Sequence, residues 1–233
     1  PSPALFSGLV FLAGVLTFDQ AVAAIDFNTL ALLLGMMLLL VVMQSQGFFT
    51  WLAVRYVALA GSPAKLMVSV VVLSAVCSAF MVNDVVVLLF TPVVIQACRM
   101  QRVNPVPYLI GEAMASNIGS TATIVGNPQN MLIGVTSGIS FSRFFGYLAP
   151  VAAVGTVLLL VVLWAFYGRE WAKKSESGSS TASDTMALAK IDYRGLKRSA
   201  PVLVGATIAF FLSSFIGIRI PMVALAAGVI AML

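Results

Sequence analysis

The chain has 233 residues, 61% of them hydrophobic and 9% charged, whereas a soluble domain carries roughly a quarter charged residues. Thirteen Lys and Arg and eight Asp and Glu cannot cover a water-facing surface of this size, which excludes an ordinary globular enzyme and makes lipid the solvent. No His is present, so His-centred metal sites and Ser-His-Asp catalysis are excluded as well, and Cys77 and Cys98, both inside apolar runs, read as small apolar fillers.

In chain order, Ala4 to Phe18 is a short apolar run closed by Asp19, Gln20 and Asp26. A cleaved signal peptide fits its length but not its flanks, since no positively charged region precedes it and no polar domain follows. Thr29 to Met43 is almost continuously apolar and predicts a membrane-spanning helix. Phe48 to Ala60, with Trp51, Arg55 and Tyr56 among apolar residues, predicts a helix lying in the interface. From Lys65 to Arg99 the chain is apolar apart from Asn83 and Asp84 and a Thr91-Pro92 pair. One helix of that length would reach roughly 50 Å at 1.5 Å per residue, well beyond a hydrocarbon core of about 30 Å, so it must fold back. Because Val85 to Cys98 is short for a full span, a re-entrant hairpin over 64–99 with Asn83 and Asp84 at its tip is expected.

Pro105 and Pro107 start a new helix that Gly126 and Pro128 interrupt at membrane depth, before an apolar run resumes at Met131; this predicts a broken span over 105–139. Phe141 to Tyr167 predicts a long span, 168–199 a solvated polar loop, and Ala200 to Phe215 and Pro221 to Leu233 two further spans. With the hairpin re-entrant, one side of the membrane receives eleven Lys and Arg, seven of them in the 168–199 loop, while the other receives Arg143 and Arg219. That asymmetry predicts that the loop is cytoplasmic and the protein a multi-pass resident of the inner membrane. Nucleic acid is not an expected partner, because the loop also carries Glu170, Glu176, Asp184 and Asp192 and no recognition motif.

Two polar interruptions at depth carry the functional expectation. In hydrocarbon each unpaired backbone group costs several kcal/mol, so a broken helix persists where it lines a site. Half-helix N-termini suit anions and freed carbonyls suit cations, and secondary transporters bind substrate and coupling ion in this way. The candidate binding residues are Asn83, Asp84, Asn117, Ser120, Thr121, Thr123, Gly126, Asn127, Pro128 and Asn130. Asp84 has no Lys or Arg nearby in sequence and is expected to bind a cation. Desolvation would raise its pKa so that proton and metal ion could alternate there, unless it serves as the cap of the following arm. Glu112, followed by Ser116, Gly119 and Thr123 on one helical face, is a candidate proton path towards the cytoplasm. Its alternative reading is a carboxylate close enough to the helix start to meet interfacial water. Gly134 and Gly138 form a GxxxG pattern read as close packing, and the Met residues as gap fillers.

The pairing of MVNDVVVLLFTPVVI (81–95) with SNIGSTATIVGNPQNMLIG (116–134) resembles the ion transporter superfamily, specifically its arsenite permease, NhaD-type sodium/proton antiporter and citrate-type members. The resemblance implies an all-α polytopic membrane protein built as inverted repeats, each with a re-entrant hairpin and a broken helix meeting at a central site. It matches Asn83 and Asp84 to the hairpin-tip position that is Ser-Asn-Thr in sodium/dicarboxylate relatives. It likewise matches Gly126, Asn127, Pro128 and Asn130 to the broken-helix Gly-x-Pro-x-Asn element. Asp at the tip departs from that pattern and weakens a dicarboxylate assignment. On this reading 1–167 is one full repeat and 200–233 the truncated start of a second, so the complete pocket is expected to need residues beyond 233 or another chain.

The expected function is an ion-coupled secondary transporter moving a small ion or oxyacid by alternating access, with sodium or a proton as coupling ion and no other cofactor. Sodium would bind transiently at Asn83, Asp84 and Asn127, and a homodimer is the expected assembly. The alternatives are a passive channel and a non-transporting assembly subunit. An intramembrane protease is disfavoured because paired Asp in a GxGD context, a Ser with a base and zinc ligands are all missing from the sequence.

Overall fold

The computed structural model describes residues 12–14, 17–48, 51, 62–172 and 193–232, and among these the secondary structure is helical throughout. The expected apolar run 4–18 lies mostly, and the interfacial helix 48–60 almost wholly, outside the described residues. A short helix α1 (Phe18–Ala23) is followed by α2 (Phe27–Ser45). Asp26 starts α2 by accepting hydrogen bonds from the backbone N–H groups of Asn28 and Thr29 and from the Thr29 hydroxyl, the last at 2.7 Å. The Thr29 hydroxyl is the main cause holding the Asp26 carboxyl below the usual carboxylate range.

Helix α3 (Pro63–Phe80) and helix α4 (Asn83–Met100) form the expected hairpin, joined through Met81 and Val82 in extended conformation. The second arm is longer than the 14 apolar residues counted from sequence. It has 18 residues, or about 27 Å at 1.5 Å per residue, because both polar tip residues are themselves helical and Arg99 and Met100 extend the far end. By length and composition α4 is therefore apolar enough to cross a membrane, as are α2, α3 and the long α7. Pro92 sits inside α4 without ending it.

The broken span is present as α5 (Val106–Ser120) and α6 (Pro128–Ser137). Helix α6 resumes three residues earlier than the apolar run because Pro128 is favourable at the first helical turn, where its missing N–H would have no partner anyway. Gly138 ends α6 with φ 67° and open space where a Cβ would be, so it is a left-handed cap and the GxxxG reading of packing holds only for Gly134, which meets Ile124. Helix α7 (Phe141–Ala172) and helix α8 (Tyr193–Ile216) both run into the 168–199 segment expected to be loop, leaving 173–192 outside the described residues. Gly217, at φ 75°, turns the chain into α9 (Ile220–Met232).

Two apolar clusters build the interior. In one, Leu32, Met36, Leu39, Leu40 and Met43 of α2 meet α4, α6, α8 and Ala224 and Ala227 of α9. In the other, Leu66, Met67, Val70 and Val71 of α3 pack on Tyr108 and Ala115 of α5, Val94 and Cys98 of α4, and Leu159 and Leu163 of α7. Helices α2 and α9 approach until a Cβ on Gly35 would lie 2.6 Å from the Ala224 carbonyl oxygen. Along α7, Val151, Val154, Val157, Leu158, Val161, Trp164 and Phe166 are all exposed. A continuous apolar band of this kind is expected towards lipid.

Candidate functional site

The hairpin tip is fastened to the break in the neighbouring span. Asn83 is the first residue of α4, and its backbone N–H donates to the carbonyl of Gly126 at 3.0 Å. Its side-chain amide donates to Asn117 Oδ1 at 3.2 Å, and its carbonyl accepts from Ser116 Oγ at 3.0 Å. Ser116 Oγ is in turn 2.6 Å from Ser78 Oγ on α3. Both strands of the connection are thus tied by polar contacts at the point where the backbone leaves helical geometry, as burial requires.

The break itself is closed by two asparagines. The Asn127 side chain accepts from Asn130 N at 2.8 Å, capping α6, and donates to Ser120 Oγ at 3.1 Å. The Asn130 amide nitrogen lies 3.1 Å from Ser120 O, 3.3 Å from Thr121 O and 2.9 Å from Thr123 O. One side chain therefore covers carbonyls that the end of α5 leaves without helical partners. The fold-back is tight enough that a Cβ on Gly126 would lie 2.8 Å from the Ser120 carbonyl carbon. One residue before the end of α5, a Cβ on Gly119 would lie 2.5 Å from the carbonyl carbon of Ala75 on α3.

The structure brings Asn83, Asn117, Ser120, Gly126, Asn127, Pro128 and Asn130 into this one cluster. Thr121 donates to Ile118 O at 2.7 Å, Thr123 donates to Ala79 O, and Ser120 donates to Asn117 O at 2.9 Å. The hydroxyl protons of these three residues are committed to backbone, leaving only their oxygens for a ligand. Asp84 is exposed, so the expected desolvation is not found on this chain. Nor is Asp84 the cap: Val82 holds that position without a side-chain cap bond, and Asp84 sits in the first turn, where a negative charge suits the helix dipole. Glu112 is 0% exposed, which removes its alternative reading of contact with interfacial water, because α5 turns that face onto α3 and α4.

Nothing in the sequence singles out Ser74 and Ser78, since hydroxyls on an apolar helix are ordinary; only their register against Ser116 would mark them. A cavity of about 380 Å³, lined by Asn28, Ser140, Ser213 and Arg219 among others, lies at the α6–α7 and α8–α9 bends and contains none of the candidate residues. In chemical terms, the N-termini of α4 and α6 and the C-terminus of α5 converge with one exposed carboxylate. This arrangement offers donors to an anion and oxygens to a cation.

Helices of spanning length, an exposed apolar band and a polar helix break make this an all-α polytopic membrane protein. The chain belongs to the citrate transporter family, which matches residues 2–233. It is 35% identical over 145 residues to an uncharacterized transporter of Mycobacterium tuberculosis, covering 62% of this chain and 34% of the relative. To the inner membrane protein YbiR of Escherichia coli it is 35% identical over 145 residues, covering 62% and 39%. To the P protein of Homo sapiens it is 36% identical over 152 residues, covering 63% and 18%. The chain thus matches about a third of the length of these two bacterial relatives, and the family to which it belongs is one of transporters.

Proposed function

We propose that this chain carries one half of the transport site of an ion-coupled secondary transporter working by alternating access in the inner membrane. The observation that carries the reading is the bond from Asn83 at the hairpin tip to Gly126 in the helix break, with Asp84 exposed beside it. Motion of either element would alter the geometry presented to an ion. Asp84, with neighbouring carbonyl and amide oxygens, serves as the coupling-cation site for sodium or a proton, and the N-termini of α4 and α6 supply the donors for an oxyanion.

The cluster contains no Lys, Arg or His, so a multivalent anion would be held weakly against the Asp84 charge unless cations neutralise it. The favoured cargo is a cation, a neutral oxyacid, or an anion that moves with cations; a carboxylate of the kind named by the family fits under that last condition. The rest of the transporter completes the pocket.

The test is flux in proteoliposomes containing the full-length transporter under an imposed sodium or proton gradient. Concentrative uptake or efflux that follows the gradient is expected, and Asp84→Asn should abolish or uncouple it while the protein still folds. Movement that only dissipates the substrate gradient would identify a passive channel. Tight dicarboxylate or sulfate binding with no cation requirement would overturn the cargo ordering.

A further inference from the structure

Helices α3 and α5 run parallel, as their contacts show: Gly111 faces Met67 and Val71, Gly119 faces Ala75, and Thr123 bonds to the carbonyl of Ala79. Ser78 and Ser116 are hydrogen-bonded across this interface at 2.6 Å. One turn earlier on each helix stand Ser74 and Glu112, on the same helical faces as Ser78 and Ser116. Both are 0% exposed. Ser74 Oγ and Glu112 Oε2 are also two of the buried side-chain atoms without a hydrogen-bond partner among the described residues. The other carboxylate oxygen, Oε1, accepts from Thr91 Oγ1 of α4 at 3.3 Å. Two orphaned polar atoms on the paired faces of one interface mark a built site, since buried polar groups are otherwise almost always satisfied.

We propose that Glu112 is a buried proton-binding site in which Thr91 donates to one carboxyl oxygen and the other carries the proton towards Ser74. The Ser78–Ser116 pair continues the row to the carbonyl of Asn83 at the hairpin tip. This deepens the proposed coupling by giving the proton a place of its own, apart from Asp84.

The charge environment favours this assignment. Helices α3, α4 and α7 pack against α5. Among their described titratable side chains, Lys65, Cys77, Asp84, Arg99, Arg143, Tyr147 and Tyr167 share no hydrogen bond or ion pair with Glu112. Cys98, a buried thiol, is within its electrostatic reach and supplies no positive charge. An ionised carboxylate there would be desolvated without a counter-charge, and protonation removes that cost while giving Oε2 a hydrogen to donate. On release the O–H bond breaks with its electron pair left on the carboxylate, and the proton passes to a hydroxyl or water of the row.

The experiment is infrared spectroscopy of the full-length transporter in lipid nanodiscs, read at the carbonyl stretch of protonated carboxyl groups. At neutral pH a band is expected that Glu112→Gln removes, Ser74→Ala shifts by deleting the acceptor, and Asp84→Asn leaves in place. Replacing sodium with choline should not change it. A neutral-pH spectrum without such a band would overturn the proposal, as would a band that appears only when sodium is withdrawn, which would mark a sodium site. Loss of the band in Asp84→Asn would assign it to Asp84 and also overturn the proposal. Where Glu112→Gln does not fold, the Ser74→Ala shift decides, and an unshifted band counts against the site. None of these readouts requires transport, so failure of the coupling reading leaves the proton site testable.

Discussion

Asn130 shows how much one side chain can contribute where a helix is interrupted. Its amide faces the carbonyls of Ser120, Thr121 and Thr123, none of which has water to turn to if the break lies at membrane depth. Asn130→Ala should lower stability by about 2 kcal/mol or more, given a cost of roughly 1–3 kcal/mol for leaving buried polar groups unsatisfied. Asn130→Asp should be at least as damaging at neutral pH, since a carboxylate cannot donate and would face three acceptors. Thermal unfolding in detergent checks both; an unchanged midpoint in either variant would show that the break is held elsewhere. The sequence displayed Asn130 as one residue among ten candidates, singled out by its place at a helix break. Its structural duty depends on carbonyl positions that no residue pattern encodes. Asp84 lies exposed where burial was expected for the same reason. Distance from a helix start says nothing about which face the neighbouring helices cover.

At the scale of elements, the hairpin and the broken span were legible because their signals are local: Pro and Gly at breaks, polar residues inside apolar runs, and an apolar length too great for one helix. The ends of α7 and α8 were less legible, because Gly168 and the charged residues after it lower hydropathy without preventing helix formation. The parallel pairing of α3 with α5 was not visible at all, as it rests on small residues whose partners lie some forty positions away. That pairing can be tested at its closest point. A methyl group at Gly119 has no room against the Ala75 backbone, so Gly119→Ala should destabilise by about 3 kcal/mol or more, at the upper end of overpacking costs. Gly146, also helical, has open space where a Cβ would point, and Gly146→Ala should be neutral or stabilise by up to about 1 kcal/mol. Denaturation curves of the two variants measured side by side check the contrast. Equal effects would contradict the packing.

For the molecule as a whole, the uneven placement of Lys and Arg predicts an orientation. A cysteine introduced at Ser179 should react with an impermeant thiol reagent only from the cytoplasmic side, and one at Ile218 only from the opposite side. The native Cys77 and Cys98 are buried and should stay silent. Labelling of both positions from one side would overturn the orientation. The crossing of α2 with α9 bears on how such a molecule can move. Gly35 and Gly228 are each the ninth residue of their helix, and a Cβ on Gly228 would lie 2.8 Å from the Gly35 carbonyl oxygen. Contact of backbone with backbone, without side chains to re-pack, resists sliding: a shift of one residue would drive a side chain into the opposite main chain. The two helices therefore behave as an axle, able to swivel about the crossing but held against travel along it, and any sliding displacement within the molecule must be taken up by the helices around them.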